Sequence, residues 1–271
     1  MKLFAVRDDT DPHRKDLAYL FYYESAKQFY IELPDRADPW ETPILLSTFA
    51  ERKEYTVGPE WSFRWVQNRI VPRERQNIWQ ILRDNGLETY DEFSLLMLAM
   101  GCCAQDDYYL APIKEDSMPK SILKRFQKHV SDALSLKDFR LLVFFQNGTV
   151  KLHSLKAYFQ TQPEFGILLR KPEFFPMWKV LPGGYGISWD VGMNLSYDWL
   201  YRNGRSLPVH TDVFQDFVQQ CIISTQEAAD LLDCSRQNID DLTKRGKLLP
   251  IKSSEKQTLY LKSEVLKRAW K

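Results

Sequence analysis

Residues 224–249, STQEAADLLDCSRQNIDDLTKRGKLL, carry the most specific structural pattern in this sequence. Ser224 and Glu227 stand three positions apart before an apolar run, which is the capping box that starts a helix. Two alanines follow, and their small side chains allow a first helix to approach a second one closely. Ser235 can cap that second helix, and Gly246 can end it. The spacing therefore predicts two short helices joined by a tight turn.

The second of these helices begins with three side chains that suit base recognition. Arg236, Gln237 and Asn238 follow the predicted cap directly. Arginine can donate two hydrogen bonds to guanine, and glutamine or asparagine can bond in the same paired manner to adenine. These residue types are therefore compatible with base recognition.

The charge of the C-terminal region gives qualified support to a DNA partner. The last fifty residues hold ten basic and seven acidic side chains, a net charge of +3. Asp240 and Asp241 stand on the second predicted helix and would repel phosphates if they faced DNA. Few phosphate contacts are available to one copy, so a homodimer on a repeated half-site would be needed.

These residues resemble a winged helix-turn-helix of the excisionase and MerR type. The resemblance rests on Ser224-Thr225-x-x-Ala228-Ala229-x-Leu231-Leu232-x-Cys234-Ser235-Arg236, followed by Ile239, Leu242, Gly246 and Leu248. It implies that the second helix enters the major groove and that residues 250–261 form the wing. In such a fold Arg236, Gln237 and Asn238 would contact DNA bases. Lys244, Lys252 and Lys256 would then lie near phosphates. A helix-turn-helix that docks a protein, or that is purely structural, stays open as the alternative.

The middle of the chain contains the strongest hairpin signal. Asn147-Gly148 lies between two β-rich runs. Both central residues of a type I′ turn need positive φ, which these two residue types adopt readily. In the return run, residues 149–154, alternation places Val150 and Leu152 on one face and Thr149, Lys151 and His153 on the other. We expect His153 to be a solvated strand residue rather than a ligand.

This middle region resembles domain-of-unknown-function family 2442. The resemblance rests on Phe145-Gln-Asn-Gly-Thr-Val150, Pro172-Glu-Phe-Phe175, Ile187-Ser-Trp189, Gly192, Leu195 and Trp199-Leu200. It covers most of the middle region and implies a small antiparallel α+β module that binds a partner and has no catalytic residues. The sequence departs from the family pattern at Gln146-Asn147, where Asp is commoner, and at Asp190-Val191.

The N-terminal region resembles a lead-in segment of HipA-related bacterial kinase proteins. The resemblance rests on Trp65-x-x-x-Arg69-x-x-Pro72-x-x-Arg75, then Gly101 and Asp106-Asp107-Tyr108-Tyr109. No kinase glycine loop, catalytic Asp loop or metal-binding Asp follows, so the resemblance carries no activity. We expect the two arginines and the two aspartates to form structural ion pairs rather than a site.

The sequence predicts a multi-domain α+β protein. A chain of this length favours two or three domains. We predict an N-terminal α+β domain at 1–113, a middle module with a leading helix at 121–205, and the winged helix-turn-helix at 212–271. The polar segment 114–120 is the predicted first boundary. A leading helix is predicted over 121–136.

Several classes of protein are disfavoured by what the sequence lacks. It contains none of the nucleotide-binding, serine hydrolase or zinc protease motifs, so we predict no enzyme and no cofactor. The four cysteines and four histidines have no metal-ligand spacing, so we predict no metal and reduced thiols. No apolar run approaches a membrane span, and the start is charged too early for a signal peptide. A cytoplasmic location is therefore expected.

The leading interpretation is a bacterial or phage-borne DNA-binding transcriptional regulator. The resemblances favour the antitoxin or autoregulator of a toxin–antitoxin or phage-defence locus, with a toxin as protein partner. The second hypothesis is an interaction adaptor whose helix-turn-helix does not touch DNA. A catalytically lapsed HipA-like relative ranks third.

Overall fold

The computed structural model describes residues 1–190 and 192–269 and shows a mixed α+β chain with small antiparallel sheets. The predicted α+β class is confirmed. Val191, at which the sequence departs from the family-2442 pattern, lies outside the described residues. So do Trp270 and Lys271 of the predicted C-terminal domain.

The N-terminal region is a five-stranded sheet with helices on one face. The strands are β1 (Lys2–Asp8), β2 (Ala18–Tyr23), β3 (Gln28–Glu32), β4 (Thr56–Val57) and β5 (Tyr108–Pro112), in the order β4-β3-β2-β1-β5. The helices are α1 (Ile44–Glu51), α2 (Pro59–Gln67), α3 (Ile78–Asp84) and α4 (Glu92–Leu98). The strand β1 thus lies between β2 and β5, and both of its faces are buried. Its sequence therefore shows no alternation of apolar and polar residues.

The two faces of this sheet contribute to two different hydrophobic cores. One face packs against α1–α4 through Phe4, Val6, Leu20, Tyr22 and Ile31. The other face packs against the middle region through Leu3, Ala5, Tyr19, Phe21 and Tyr30. The predicted domains 1–113 and 121–205 therefore share a core across the sheet.

The middle region combines a four-stranded sheet, a three-stranded sheet and short helices. The strands are β6 (Val130–Leu136), β7 (Arg140–Phe145), β8 (Val150–Ser154), β9 (Lys179–Val180), β10 (Gly186–Asp190), β11 (Met193–Ser196) and β12 (Arg205–Ser206). The sheet orders are β12-β8-β7-β6 and β11-β10-β9. The helices are α5 (Lys120–Phe126), α6 (Lys156–Thr161), α7 (Gly166–Arg170) and α8 (Tyr197–Asn203).

The predicted leading helix over 121–136 is wrong in its second half. The helix α5 ends at Phe126, and residues 130–136 form β6, which pairs antiparallel with β7. Strand pairing over a long hairpin overrides the local helical pattern here.

The predicted hairpin forms, but its turn differs from the predicted type. Gly148 has φ +78°, whereas Asn147 has no positive φ, so this is not a type I′ turn. The Gly148 N–H donates to the Phe145 carbonyl at 2.9 Å, and the Phe145 N–H donates to the Thr149 carbonyl at 3.0 Å. This pattern is typical of a three-residue hairpin loop with a left-handed glycine.

The prediction that His153 is solvated is wrong. Lys151 and His153 lie opposite Val143 and Leu141 on β7 and share the face that packs on the core. Their exposed fractions are 9% and 3%. The His153 ring stacks on Trp199 of α8 with ring centroids 5.7 Å apart. The residues of β8 alternate between the two faces of the sheet as predicted, but the face that carries Lys151 and His153 packs on the core.

The C-terminal region has a small core of its own. Its elements are α9 (Thr211–Cys221), β13 (Ile222–Ser224), α10 (Thr225–Leu231), α11 (Arg236–Lys244), β14 (Lys252–Ser253), β15 (Thr258–Leu261) and α12 (Lys262–Ala269). The strands form a sheet in the order β13-β15-β14. The core consists of Ile223, Ala228, Ala229, Ile239, Leu248, Tyr260 and Val265. No helix in residues 1–190 or 192–269 is both long and apolar enough to cross a membrane.

Candidate nucleic-acid interface

The helix α10 begins with the predicted capping box. The Glu227 N–H donates to Ser224 Oγ at 3.3 Å, and the Ser224 N–H donates to Glu227 Oε2 at 2.8 Å. Ala228 and Ala229 are buried against the neighbouring elements. These contacts fix the start of α10 and let α11 approach it closely.

The turn between α10 and α11 sets the angle between the two helices. Asp233 has a positive φ, a left-handed conformation that Asp tolerates better than most residues. The Cys234 N–H donates to the Ala229 carbonyl at 3.0 Å, and Ser235 Oγ accepts from the Asn238 N–H at 3.3 Å. The start of α11 is therefore held by both backbone and side-chain hydrogen bonds.

One side of α11 is buried and the opposite side is exposed to solvent. Ile239 is fully buried, and Thr243 Oγ1 lies 3.0 Å from the Tyr260 hydroxyl oxygen. The helical repeat places Gln237, Asp241 and Lys244 at the centre of the opposite side. All three are exposed.

All six residues predicted to contact DNA are exposed. They are Arg236, Gln237, Asn238, Lys244, Lys252 and Lys256. The three lysines form no ion pair within residues 1–190 and 192–269. The two aspartates of α11, Asp240 and Asp241, are exposed as well. The outer surface of this helix therefore carries both signs of charge.

A hydrogen-bond chain that the sequence did not predict holds Arg236. Its Nε donates to Gln226 Oε1, and Gln226 Nε2 donates to Asp230 Oδ1 at 2.6 Å. Arg236 and Asp240 line a groove between α11 and residues 254–258. Local patterns could not predict the bond from Arg236 to Gln226, because the two residues lie on different helices.

The predicted wing is a short hairpin that adds to β13. Lys252 on β14 pairs with Leu259 on β15, and the Ser254 N–H donates to the Gln257 carbonyl at 2.8 Å. Ile223 on β13 pairs with the buried Tyr260 of β15. Lys256 lies in the loop of the hairpin. The hairpin is therefore tied to the same core that holds α10 and α11.

The arginine and aspartate residues of the N-terminal region form only one of the two expected pairs. Arg69 donates from both terminal nitrogens to Asp106, at 3.0 and 2.6 Å, and its guanidinium lies 4.1 Å from the Trp65 ring centroid. Arg75 instead donates to Asn77 Oδ1 at 2.9 Å on the surface. The buried Arg69 thus braces the loop before β5 against α2.

The thiol and histidine side chains are dispersed. Cys102 is exposed, and Cys103, Cys221 and Cys234 are half-buried free cysteines. Across residues 1–190 and 192–269, no three His, Cys, Asp or Glu side chains cluster so as to hold a metal.

Comparison with known proteins finds no matching family model, and no curated protein and no solved structure is significantly similar to this chain. The three resemblances drawn from residue patterns therefore stay predictions.

Proposed function

We propose that this protein is a DNA-binding transcriptional regulator. In this proposal residues 222–269 act as a winged helix-turn-helix, and α11 is the helix that enters the major groove. The observation that carries the proposal is the presentation of the first turn of α11. A cap fixes this turn at Ser235, and Arg236, Gln237 and Asn238 are exposed on it, with Arg236 held by its hydrogen bond to Gln226.

The exposed side chains divide into two roles. Arg236, Gln237 and Asn238 would contact base edges, which confer sequence preference. Lys244 at the end of α11 would contact a phosphate. In the hairpin, Lys252 and Lys256 would do the same. Phosphate contacts position a protein on the duplex without reading its sequence.

A second candidate function is supported by the acidic side chains of α11. Asp241 lies at the centre of the exposed side, and Asp240 lies beside the groove next to the hairpin. Carboxylates at a DNA surface repel phosphates, although one can accept a hydrogen bond from the amino group of cytosine. A protein adaptor that docks a basic partner would use the same pair of aspartates.

The regulatory setting that we propose is a toxin–antitoxin or phage-defence locus, with this protein as antitoxin or autoregulator in the cytoplasm. The neighbouring gene tests this setting. A small toxin-like gene beside this one would support it, and a kinase-like gene would favour the HipA-like alternative.

A binding titration tests DNA recognition itself. The full chain is titrated by fluorescence anisotropy against the DNA upstream of its own gene and against a shuffled duplex, at two salt concentrations. We expect tighter binding to the upstream DNA. Lys252→Ala should weaken binding to both duplexes and lower the salt slope by about one.

Lys156→Ala provides the matched control. Lys156 is an exposed lysine at the start of α6, outside the C-terminal region, so its removal should change neither affinity nor slope. Equal affinity for the two duplexes, together with no effect of Lys252→Ala, would overturn the DNA proposal and favour the adaptor.

A further inference from the structure

The outer face of the four-stranded sheet carries an exposed row of leucines. Leu134 on β6 lies opposite Leu142 on β7, which lies opposite Leu152 on β8. Leu134 is 51% exposed, and the other two are half-buried. The helices α6 and α8 belong to the core on the other face of this sheet. The leucine row therefore faces outward.

The helix α9 extends this apolar surface. Its apolar stripe is largely exposed, and no residue of the helix is buried. The stripe consists of Val213, Phe214, Phe217 and Val218, which are 56%, 43%, 47% and 41% exposed. The Phe214 ring lies 6.1 Å from that of Phe144 on the outer sheet face. Thr211 anchors the helix, since its N–H and Oγ1 both donate to the Gly148 carbonyl at 3.0 Å.

Sheet face and helix stripe together form one continuous patch, which we call the outer patch. It comprises Leu134, Leu142, Leu152, Phe144, Val213, Phe214, Phe217 and Val218. Scattered apolar side chains are normal on a protein surface, but a contiguous patch of this kind marks an interaction site.

The outer patch carries opposite charges at its two ends. Arg140 lies at one end of β7, opposite Leu136, and Asp132 on β6 lies opposite Phe144 at the other end. Along the strand direction, Arg140 and Asp132 are separated by four residues, or about 13 Å. Both side chains are exposed, and neither forms an ion pair within the described part of the chain.

We propose that the outer patch is the surface through which two copies of this chain associate about a two-fold axis. In such an interface each contact occurs twice, with the roles of the copies exchanged. The axis would place Arg140 of one copy against Asp132 of the other, in both directions. The patch thus supplies its own complementary charges, which favours a second copy over a different protein.

Self-association would also connect to the C-terminal region. The helix α9 runs directly into β13, the first strand of that region. A pair of copies joined along α9 therefore brings two α11 helices into one assembly. This consequence rests on the proposed function, whereas the association itself does not require DNA.

Sedimentation equilibrium over a range of concentrations tests the proposal, because it measures the mass of the full chain in solution without DNA. We expect a dimer, with twice the mass of one chain. Arg140→Glu and Asp132→Lys should each weaken the dimer by about tenfold or more, because each places like charges together. Arg83→Glu, a charge reversal at an exposed site on α3, should leave the dimer unchanged.

A mixture of the two weakened variants tests directly whether Arg140 of one copy contacts Asp132 of the other. In the mixed pair one ionic contact has its native sign and the other has both charges reversed, so both contacts are attractive and association should return. Circular dichroism confirms that each variant is folded. A monomeric wild-type chain, or variants that dimerise like wild type, would overturn the proposal. Because DNA is absent, neither result depends on the DNA titration.

Discussion

The region from Met1 to Ser206 and the C-terminal region differ in how they are stabilised. The first region has two large cores that share one sheet, whereas the second is held by seven buried side chains. The first region uses most of its aromatic residues for internal packing. The second leaves the polar side of α11 free. In this protein stability and proposed recognition are thus concentrated in different parts of the chain.

A buried polar contact joins the N-terminal sheet to the middle region. Glu32 is fully buried and accepts from Thr56 Oγ1 at 3.0 Å, and Thr56 Oγ1 lies 2.9 Å from the Tyr197 hydroxyl oxygen. Arg125 lies 3.3 Å from the same carboxylate. Burial raises the pKa of Glu32 to about 7, although Arg125 opposes the shift. Among the described residues of the C-terminal region, no carboxylate is buried.

The largest expected effect comes from the aromatic stack across the shared core. Tyr185 lies on Tyr30 with ring centroids 3.9 Å apart. Tyr185→Ala should reduce the free energy of unfolding by about 3–5 kcal/mol, because it removes a fully packed ring. We expect the N-terminal and middle regions to unfold together in urea. Separate transitions for these two regions would contradict the shared core.

Trp79→Ala is the control for that substitution. Trp79 lies on α3 and is 66% exposed. Its loss should therefore change the free energy of unfolding by less than about 0.5 kcal/mol.

Acid should destabilise the first region before the C-terminal one. Burial lowers the pKa of His129 and of His153 to about 4. Between about pH 6.5 and pH 4 the unfolded chain binds protons that the folded chain does not, so stability falls as pH falls. Glu32 acts in the opposite sense below pH 7, since its folded carboxyl binds a proton first. The two histidines together change proton binding by more than Glu32 does. The free energy of unfolding therefore falls by about 1.4 kcal/mol for each unit by which pH is lowered.

The C-terminal region offers the internal comparison for this pH effect. Residues 222–269 contain no histidine. The Ser224 backbone N–H lowers the pKa of Glu227 below its ordinary value of 4.5, so the stability that this carboxylate contributes is lost only below that value. Urea unfolding at pH 7, 6 and 5, followed by hydrogen exchange in each region, measures the difference. Equal losses in both regions would contradict the assignment to the buried histidines.

Gly148→Val should have a smaller effect on the first region. Its φ of +78° strains any branched side chain, and a Cβ there would meet the His210 ring at 2.0 Å. We expect a loss of about 1–3 kcal/mol in urea unfolding, together with looser docking of α9. An unchanged midpoint would show that the turn does not need this conformation.

Asp241→Asn should have the smallest effect and should act on the second region alone. Removing a carboxylate from the centre of the exposed side of α11 should strengthen DNA binding by about 0.5–1 kcal/mol, through weaker phosphate repulsion. The anisotropy titration measures it. Weaker binding would instead indicate that Asp241 accepts a hydrogen bond from a base.

Local signals in the sequence predicted the C-terminal helices best. The capping box at Ser224 and the end of α11 at Gly246 depend only on neighbouring residues, and both are confirmed. The burial of His153 and the strand at 130–136 depend on pairing between distant segments. Alternation cannot tell which face of a strand is covered.

The candidate interface was predictable to a similar extent. The exposure of Gln237 and Lys244 follows from the helical repeat around Ile239. The bond from Arg236 to Gln226 could not be predicted, because it depends on how two helices cross.

The most direct test of the account is a base-by-base measurement of DNA preference. Each base pair of the bound upstream site is replaced in turn, and affinity is measured for wild type and for Arg236→Ala. We expect wild type to lose about 1–3 kcal/mol at the pair contacted by Arg236, and Arg236→Ala to lose its preference at that pair alone. Equal affinity of wild type for every replaced site would contradict the claim that α11 reads DNA.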